Sequence, residues 1–154
     1  NIFHIDGGSS VLGLESTVIK TTNAGCKILR LGSLTIEEIK NKFSHYKIEV
    51  KKSKLSPGNQ LKHYSPNKPI RINVKFIKKN EALLNFGKNK LISNIKNLNL
   101  SIEENLLEAS HNFYNFLSIL DKTACDAIAI VPIPDEGLGK TINDRLKRAS
   151  YNDE

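Results

Sequence analysis

The sequence predicts an α/β chain built in two parts. Three observations carry that reading: short alternating stretches ending in β-branched residues, two helical periodicities each opened by a capping-box spacing, and a proline-bearing stretch between the parts that follows neither period.

The elements follow in order. Residues 2–5 read as a short strand, stopped by the turn formers Asp6, Gly7, Gly8, Ser9 and Ser10. Residues 11–20 alternate, with Leu12, Leu14, Ser16 and Val18 on one side and Val11, Gly13, Glu15, Thr17 and Ile19 on the other. That is a strand pattern. Asn23 and Gly25 supply a turn, and residues 26–31 return as a second strand, so residues 11–31 predict a hairpin. A short helix follows, with Thr35 and Glu38 at capping-box spacing and Ile36, Ile39 and Phe43 on one face.

From residue 47 to 68 the pattern dissolves. "KIEVKKSK" is charged, and "SPGNQLKHYSP" carries Pro57, Gly58 and Pro66 with no apolar period, so this stretch reads as a linker. Organisation returns with "IRINV", "EALLNF" and "KLISNI" as strand candidates. A helix is expected from Ser101, paired with Glu104 in a capping box, and continuing through Leu106, Ala109, Phe113, Phe116, Leu117 and Leu120 to about Lys122. "DAIAIVPIP" reads as a buried strand. The last stretch reads as a turn and a helix with Leu138, Ile142 and Leu146 inward. Strands alternating with helices make the second part a small α/β layer domain.

Composition narrows the function classes. The 154 residues are 39% hydrophobic and 25% charged, as in an ordinary soluble domain. No window approaches the roughly 18 apolar residues of a membrane span, and no charged-then-apolar opening resembles a secretory signal. Cys26 and Cys125 lie far apart and match no metal spacing, which suits two reduced cytosolic thiols. The net charge of +7 can attract nucleotide or nucleic-acid phosphates, but the abundance of Lys, Asn and Ile favours a nonspecific basicity. Arginine, the better phosphate fork, is scarce beside lysine. The chain contains no methionine and begins at Asn1, so it reads as the C-terminal portion of a longer protein.

Several residues carry possible chemistry. Ser16 and Thr17 offer hydroxyls at a strand end, suited to phosphate or carboxylate, or else satisfied locally. Arg30 sits on an apolar strand and must find an anion, either a phosphate or a structural carboxylate such as Glu15. "GLGKTINDRL" lacks both the P-loop and the dinucleotide glycine spacing, so it reads as a strand-to-helix turn. Asp144 and Arg145 are expected in helix-surface or interdomain pairs. His4, His45, His63 and His111 show no metal spacing, and no nucleophile elbow is present.

In their order, "DGG", "GLESTVI", "ILRLGSLT", "SPGNQLKHYSP" and "GLGKTINDRL" resemble the C-terminal part of the larger, two-domain form of the YrdC-like family, the threonylcarbamoyl-adenylate synthases. The resemblance spans essentially the whole chain. It implies residues 1–47 as the tail of a YrdC-like α/β domain, 48–68 as a linker and lid, and 69–154 as a small Rossmann-like domain. It also implies a nucleotidyltransferase that makes threonylcarbamoyl-AMP from threonine, bicarbonate and ATP, releasing pyrophosphate, for threonylcarbamoyladenosine modification of tRNA. ATP, accompanied by Mg2+, is then a substrate, and no prosthetic group is implied.

Residue by residue, Ser16 and Thr17 match the threonine end of the pocket and Arg30 matches a contact to the ATP phosphates. By the same resemblance, Tyr64 would reach the nucleotide from a lid that includes Lys62 and His63. Catalysis would come from positioning and charge neutralisation rather than from a catalytic side chain. The implied partners are the missing N-terminal part of the catalytic domain and downstream tRNA-modifying proteins, in the cytoplasm and with no membrane; the chain alone would be inactive. Leu31 stands where the family has proline, and Asn59, Gln60 and Leu61 replace a methionine, a basic and an aromatic residue. Two alternatives stand beside this reading: a non-catalytic basic module that contacts RNA or tRNA, and an inactive remnant of a split gene.

Overall fold

The computed structural model describes residues 3, 5, 6, 8, 10–23, 25–51 and 65–150. Two sheets organise them. The first contains β1 (Val18–Thr22), β2 (Gly25–Arg30) and, after helix α1 (Ile36–Lys42), β3 (Lys47–Val50), in the order β1-β2-β3. β1 and β2 are antiparallel, with Val18 opposite Arg30 and Thr22 opposite Gly25, so the expected hairpin forms. β3 runs parallel to β2, from Gly25 opposite Lys47 to Ile28 opposite Val50. The capping box of α1 is present: the Thr35 side chain accepts from the Glu38 amide while Glu38 bonds back to the Thr35 amide. Ile28, Leu31 and Ile39 form a small core under this sheet.

The second sheet is parallel throughout. Its strands β4 (Ile70–Arg71), β5 (Glu81–Asn85), β6 (Asn97–Asn99) and β7 (Ala127–Ile130) stand in the order β4-β7-β5-β6. Helix α2 (Leu106–Asp121) packs on β5 and against α3 (Gly137–Ala149). The inner strands are almost continuously apolar, as strands covered on both faces must be, and Leu83, Leu84, Ile128 and Ile130 join Phe113, Leu120 and Ile142 in the main core. At the edge, Arg71 forks onto the buried Glu81 carboxylate at 2.7 and 2.8 Å, and the Lys78 amide donates to the same group.

Five expectations meet a different structure. Residues 11–17 are not strand. They run instead across α2, where the Ser110 hydroxyl donates to the Leu12 carbonyl, His111 Nδ1 lies 2.8 Å from the Ser10 carbonyl, and Leu14 enters the main core. Gly13 permits this approach: its φ is +60°, and a Cβ there would strike the backbone of Ser110 and His111. Residues 47–50, read as patternless, form β3, because pairing to β2 satisfies a charged strand whose polar side chains face water. The second helix starts at Leu106 rather than at Ser101. Asn105 caps it, Glu104 has φ +59°, and Ser101 is buried with its hydroxyl accepting from the Asn105 amide. Residues 90–95 form no strand, and β6 follows them instead. Of the strand expected at 2–5, Phe3 and Ile5 are exposed and lie in no strand, while residues 2 and 4 fall outside the described set.

Residues 52–64, which hold most of the expected linker, lie outside the described residues. The chain is anchored where it re-enters the description: the Asn67 side chain and the Lys68 amide both donate to Asp121 at the end of α2, each at 2.9 Å. Among the described residues, no helix is long and apolar enough to cross a membrane.

Candidate substrate-binding ledge

Beyond the last ladder pair of the hairpin, the two chains stay together without forming sheet. The Ser33 amide donates to the Glu15 carbonyl at 2.8 Å. The Thr17 hydroxyl donates to the Leu34 carbonyl at 2.6 Å and accepts from the Leu34 amide at 3.1 Å. Gly32 is where the two segments come closest, since a Cβ there would run into the backbone of residues 15–17. The result is a narrow ledge of residues 15–17 and 30–34.

Arg30 lies on this ledge and is buried, with 8% exposure. Its Nε and Nη2 donate to the Ser16 carbonyl at 3.2 and 2.9 Å, and Nη2 stands 3.4 Å from the Ser16 hydroxyl. A guanidinium fork and a hydroxyl therefore meet at one point, with the Thr17 hydroxyl fixed beside them by the backbone of Leu34. The sequence expectation brought Ser16, Thr17 and Arg30 together, and the fold does so through hairpin register. Lys62, His63 and Tyr64 lie outside the described residues.

Glu15, weighed as a partner for Arg30, is bound from the other part of the chain. Arg145 reaches its Oε2 with Nε and Nη2 at 3.0 Å each, and the Tyr114 hydroxyl donates to the same oxygen at 3.1 Å. Arg145 is 5% exposed and pairs across to Glu15, whereas Asp144 is bound within α3 by Arg145 and Arg148, so neither makes a helix-surface pair. Gly137 (φ +45°) and Gly139, whose Cβ would meet the Pro134 carbonyl, serve the tight entry into α3. Lys140 is paired with Glu37 of α1. The "GLGK" stretch thus forms the turn from β7 into α3 that its spacing implied.

Burial alone would raise the Glu15 carboxyl, but the Arg145 charge and the hydrogen bonds from Arg145 and Tyr114 outweigh it and hold it below the ordinary carboxylate range. Burial, and then the Glu15 charge, push the Tyr114 phenol up to about 12. The sign of the pH dependence follows. A carboxyl depressed in the folded state contributes stability that is fully present above its unfolded value and is lost as pH falls through the folded one. Urea midpoints measured from pH 7 down to pH 3 should therefore fall more steeply for the parent chain than for Glu15→Gln. Parallel curves would show that Glu15 is not held as an ion.

The first sheet also presents an open apolar groove of about 420 Å³, lined among others by Ile19, Cys26, Ile39, Phe43 and Tyr46. Among the described residues, no three His, Cys, Asp or Glu side chains converge as metal ligands, and both cysteines are free thiols.

This architecture has relatives. The threonylcarbamoyl-AMP synthase of Pyrococcus abyssi (strain GE5 / Orsay) is 29% identical over 165 residues, covering 95% of this chain and 48% of that protein. The crystal structure of P. abyssi Sua5 complexed with L-threonine superposes with a TM-score of 0.75 at 26% identity, over 94% of this chain and 48% of the other. A variant of the same archaeal protein, with a histidine and the tyrosine after it replaced by alanine, superposes with a TM-score of 0.70 at 23% identity, over 94% and 47%, and attests the fold. The chain thus spans about half the length of the relatives it matches. The family model described as "Threonylcarbamoyl-AMP synthase, C-terminal domain" matches residues 34–150, and the chain belongs to that family.

Proposed function

We propose that this chain is the C-terminal half of a threonylcarbamoyl-AMP synthase and acts together with an upstream half. The observation that carries the reading is the meeting of Arg30 with Ser16 on one ledge, in a chain of this family. In the reaction, the threonine amine adds to bicarbonate with loss of water to give a carbamate. A carbamate oxygen then attacks the α-phosphorus of ATP, and pyrophosphate leaves.

Ser16 and Thr17 would hold the threonine and carbamate end, and Arg30 would neutralise charge on the ATP phosphates. Mg2+ would arrive with ATP as part of the substrate. Tyr64, with His63 and Lys62, would close over the nucleotide and keep water from a hydrolysable adenylate. An adjacent histidine and tyrosine were the pair replaced in the archaeal variant; in this chain such pairs occur at 45–46 and 63–64, and only the second stands in the linker. The L-threonine complex of the archaeal protein supports the choice of amino acid. The apolar groove beside β1 and α1 suits the missing upstream half of the catalytic domain. The product would serve tRNA-modifying proteins in the cytoplasm.

The direct test is pyrophosphate release with ATP, threonine and bicarbonate, for this chain alone and mixed with the polypeptide encoded upstream. Turnover is expected only in the mixture and only with threonine. A folded mixture that releases nothing would sink the synthase reading. Retention of RNA that falls steeply with salt would then favour the basic binding module.

A further inference from the structure

The ends of the ledge pose a hydrogen-bonding question. β2 pairs with β3 only as far as Ile28 opposite Val50, so the carbonyls of Leu31 and Gly32 extend past the sheet into a packed interior. Buried carbonyls need donors. Helix α3 supplies both: Arg145 Nη2 donates to the Leu31 carbonyl at 2.9 Å, and the Thr141 hydroxyl donates to the Gly32 carbonyl at 3.0 Å. The same Arg145 grips the Glu15 carboxylate on the facing segment, and Tyr114 of α2 holds that carboxylate from a second side. Arg145 is itself aimed by Asp144, which accepts from its Nη1 at 2.9 Å and is also bound by Arg148. One guanidinium therefore ties the two chains of the ledge together, next to Ser16 on one chain and Arg30 on the other.

We infer that Arg145, with Thr141 and Tyr114, acts as a set of positioning residues through which the C-terminal unit fixes the Ser16–Arg30 geometry for the reaction. None of the three needs to touch substrate. Their role is to hold residues 15–17 at a constant distance from residues 30–33, and small errors in such spacing are costly in reactions that depend on orientation. The second unit is then a structural half of the active site and not an appended module. The inference rests on the synthase reading of Ser16 and Arg30.

The test uses the complete protein, upstream half included, with Arg145→Ala, Arg145→Lys and Thr141→Val, and with Arg71→Ala as the control. Arg71→Ala breaks the buried pair with Glu81 at the far sheet edge, and so reports the effect of destabilisation alone. Amide exchange of Ser33 and Leu34, whose acceptors are Glu15 and Thr17, should accelerate about ten-fold or more in Arg145→Ala. Exchange in β5 and β7 should not change. The kcat for pyrophosphate release should fall about 30-fold or more in Arg145→Ala and several-fold in Thr141→Val. Arg145→Lys, which keeps the charge near Glu15 but not the fork, should recover part of it.

Arg71→Ala should keep the parent kcat. Should Arg145→Ala not fold, Thr141→Val and Arg145→Lys carry the same comparison. Unaltered exchange at Ser33 and Leu34, or altered exchange with unaltered kcat, would overturn the positioning role while leaving the synthase reading intact. A parent protein without threonine-dependent turnover would overturn both.

Discussion

Replacing Arg30 by alanine in the complete protein is expected to lower threonine-dependent pyrophosphate release by about 100-fold or more. Losses of 10²–10³ are typical when one donor to developing charge is removed, and about 100-fold corresponds to roughly 2.7 kcal/mol of barrier. The same substitution strips the Ser16 carbonyl of two charged donors in a part-buried setting. That should cost about 1–3 kcal/mol of stability, which a domain of ordinary stability, roughly 5–15 kcal/mol, survives. The two effects separate by measurement. The thermal midpoint should fall modestly while kcat falls by two decades. Arg30→Lys should retain more stability than activity, because a lysine can supply charge but not a bidentate fork. Unchanged kinetics in a folded Arg30→Ala protein would remove this residue from the site.

The second large effect is expected from a single methyl group. Gly32→Ala would place a Cβ against the Glu15 carbonyl, the Ser16 carbonyl carbon and the Thr17 nitrogen, all of them backbone atoms that cannot swing aside. Overpacking of this kind costs about 1–3 kcal/mol, occasionally more. Here relief is available only by prising the ledge apart. The Ser33 to Glu15 hydrogen bond lies at that point, so Ser16 should move away from Arg30. Turnover should fall by roughly 100-fold, and exchange at Ser33 should rise, while the parallel sheet keeps its protection. A Gly32→Ala protein with parent kcat would show that the ledge tolerates opening, and would count against its role as the binding surface.

Much of the chain was legible from its residues. The helix over Ile36–Lys42 was readable because its cap is local: Thr35 and Glu38 satisfy each other across three residues. The hairpin was readable because an Asn- and Gly-bearing turn joins two β-prone stretches, and its register brings Ser16 toward Arg30. The buried strand β7 announced itself by composition. The ordered motifs carried the family. The expected helix start at Ser101 shows where such signals mislead. Its capping-box spacing was genuine as a pattern, yet Ser101 spends its hydroxyl on Glu108 and the Asn105 amide, and Asn105 makes the cap.

The sequence by itself determined which stretches are helix or strand where the hydrogen-bonding partners are near, and which family the chain belongs to. Only the tertiary structure decided what covers each apolar or charged face. The alternation over residues 11–17 names two faces, but not that residues of both, Leu14 on one and Glu15 on the other, meet α2 and α3 instead of a neighbouring strand. Glu15 and Arg30 were plausible partners across a hairpin, whereas Glu15 meets Arg145, 130 residues further along. The physical reason is that periodicity records the burial each residue requires, and a buried charge records that it needs a partner. Neither records where in a folded chain that partner stands.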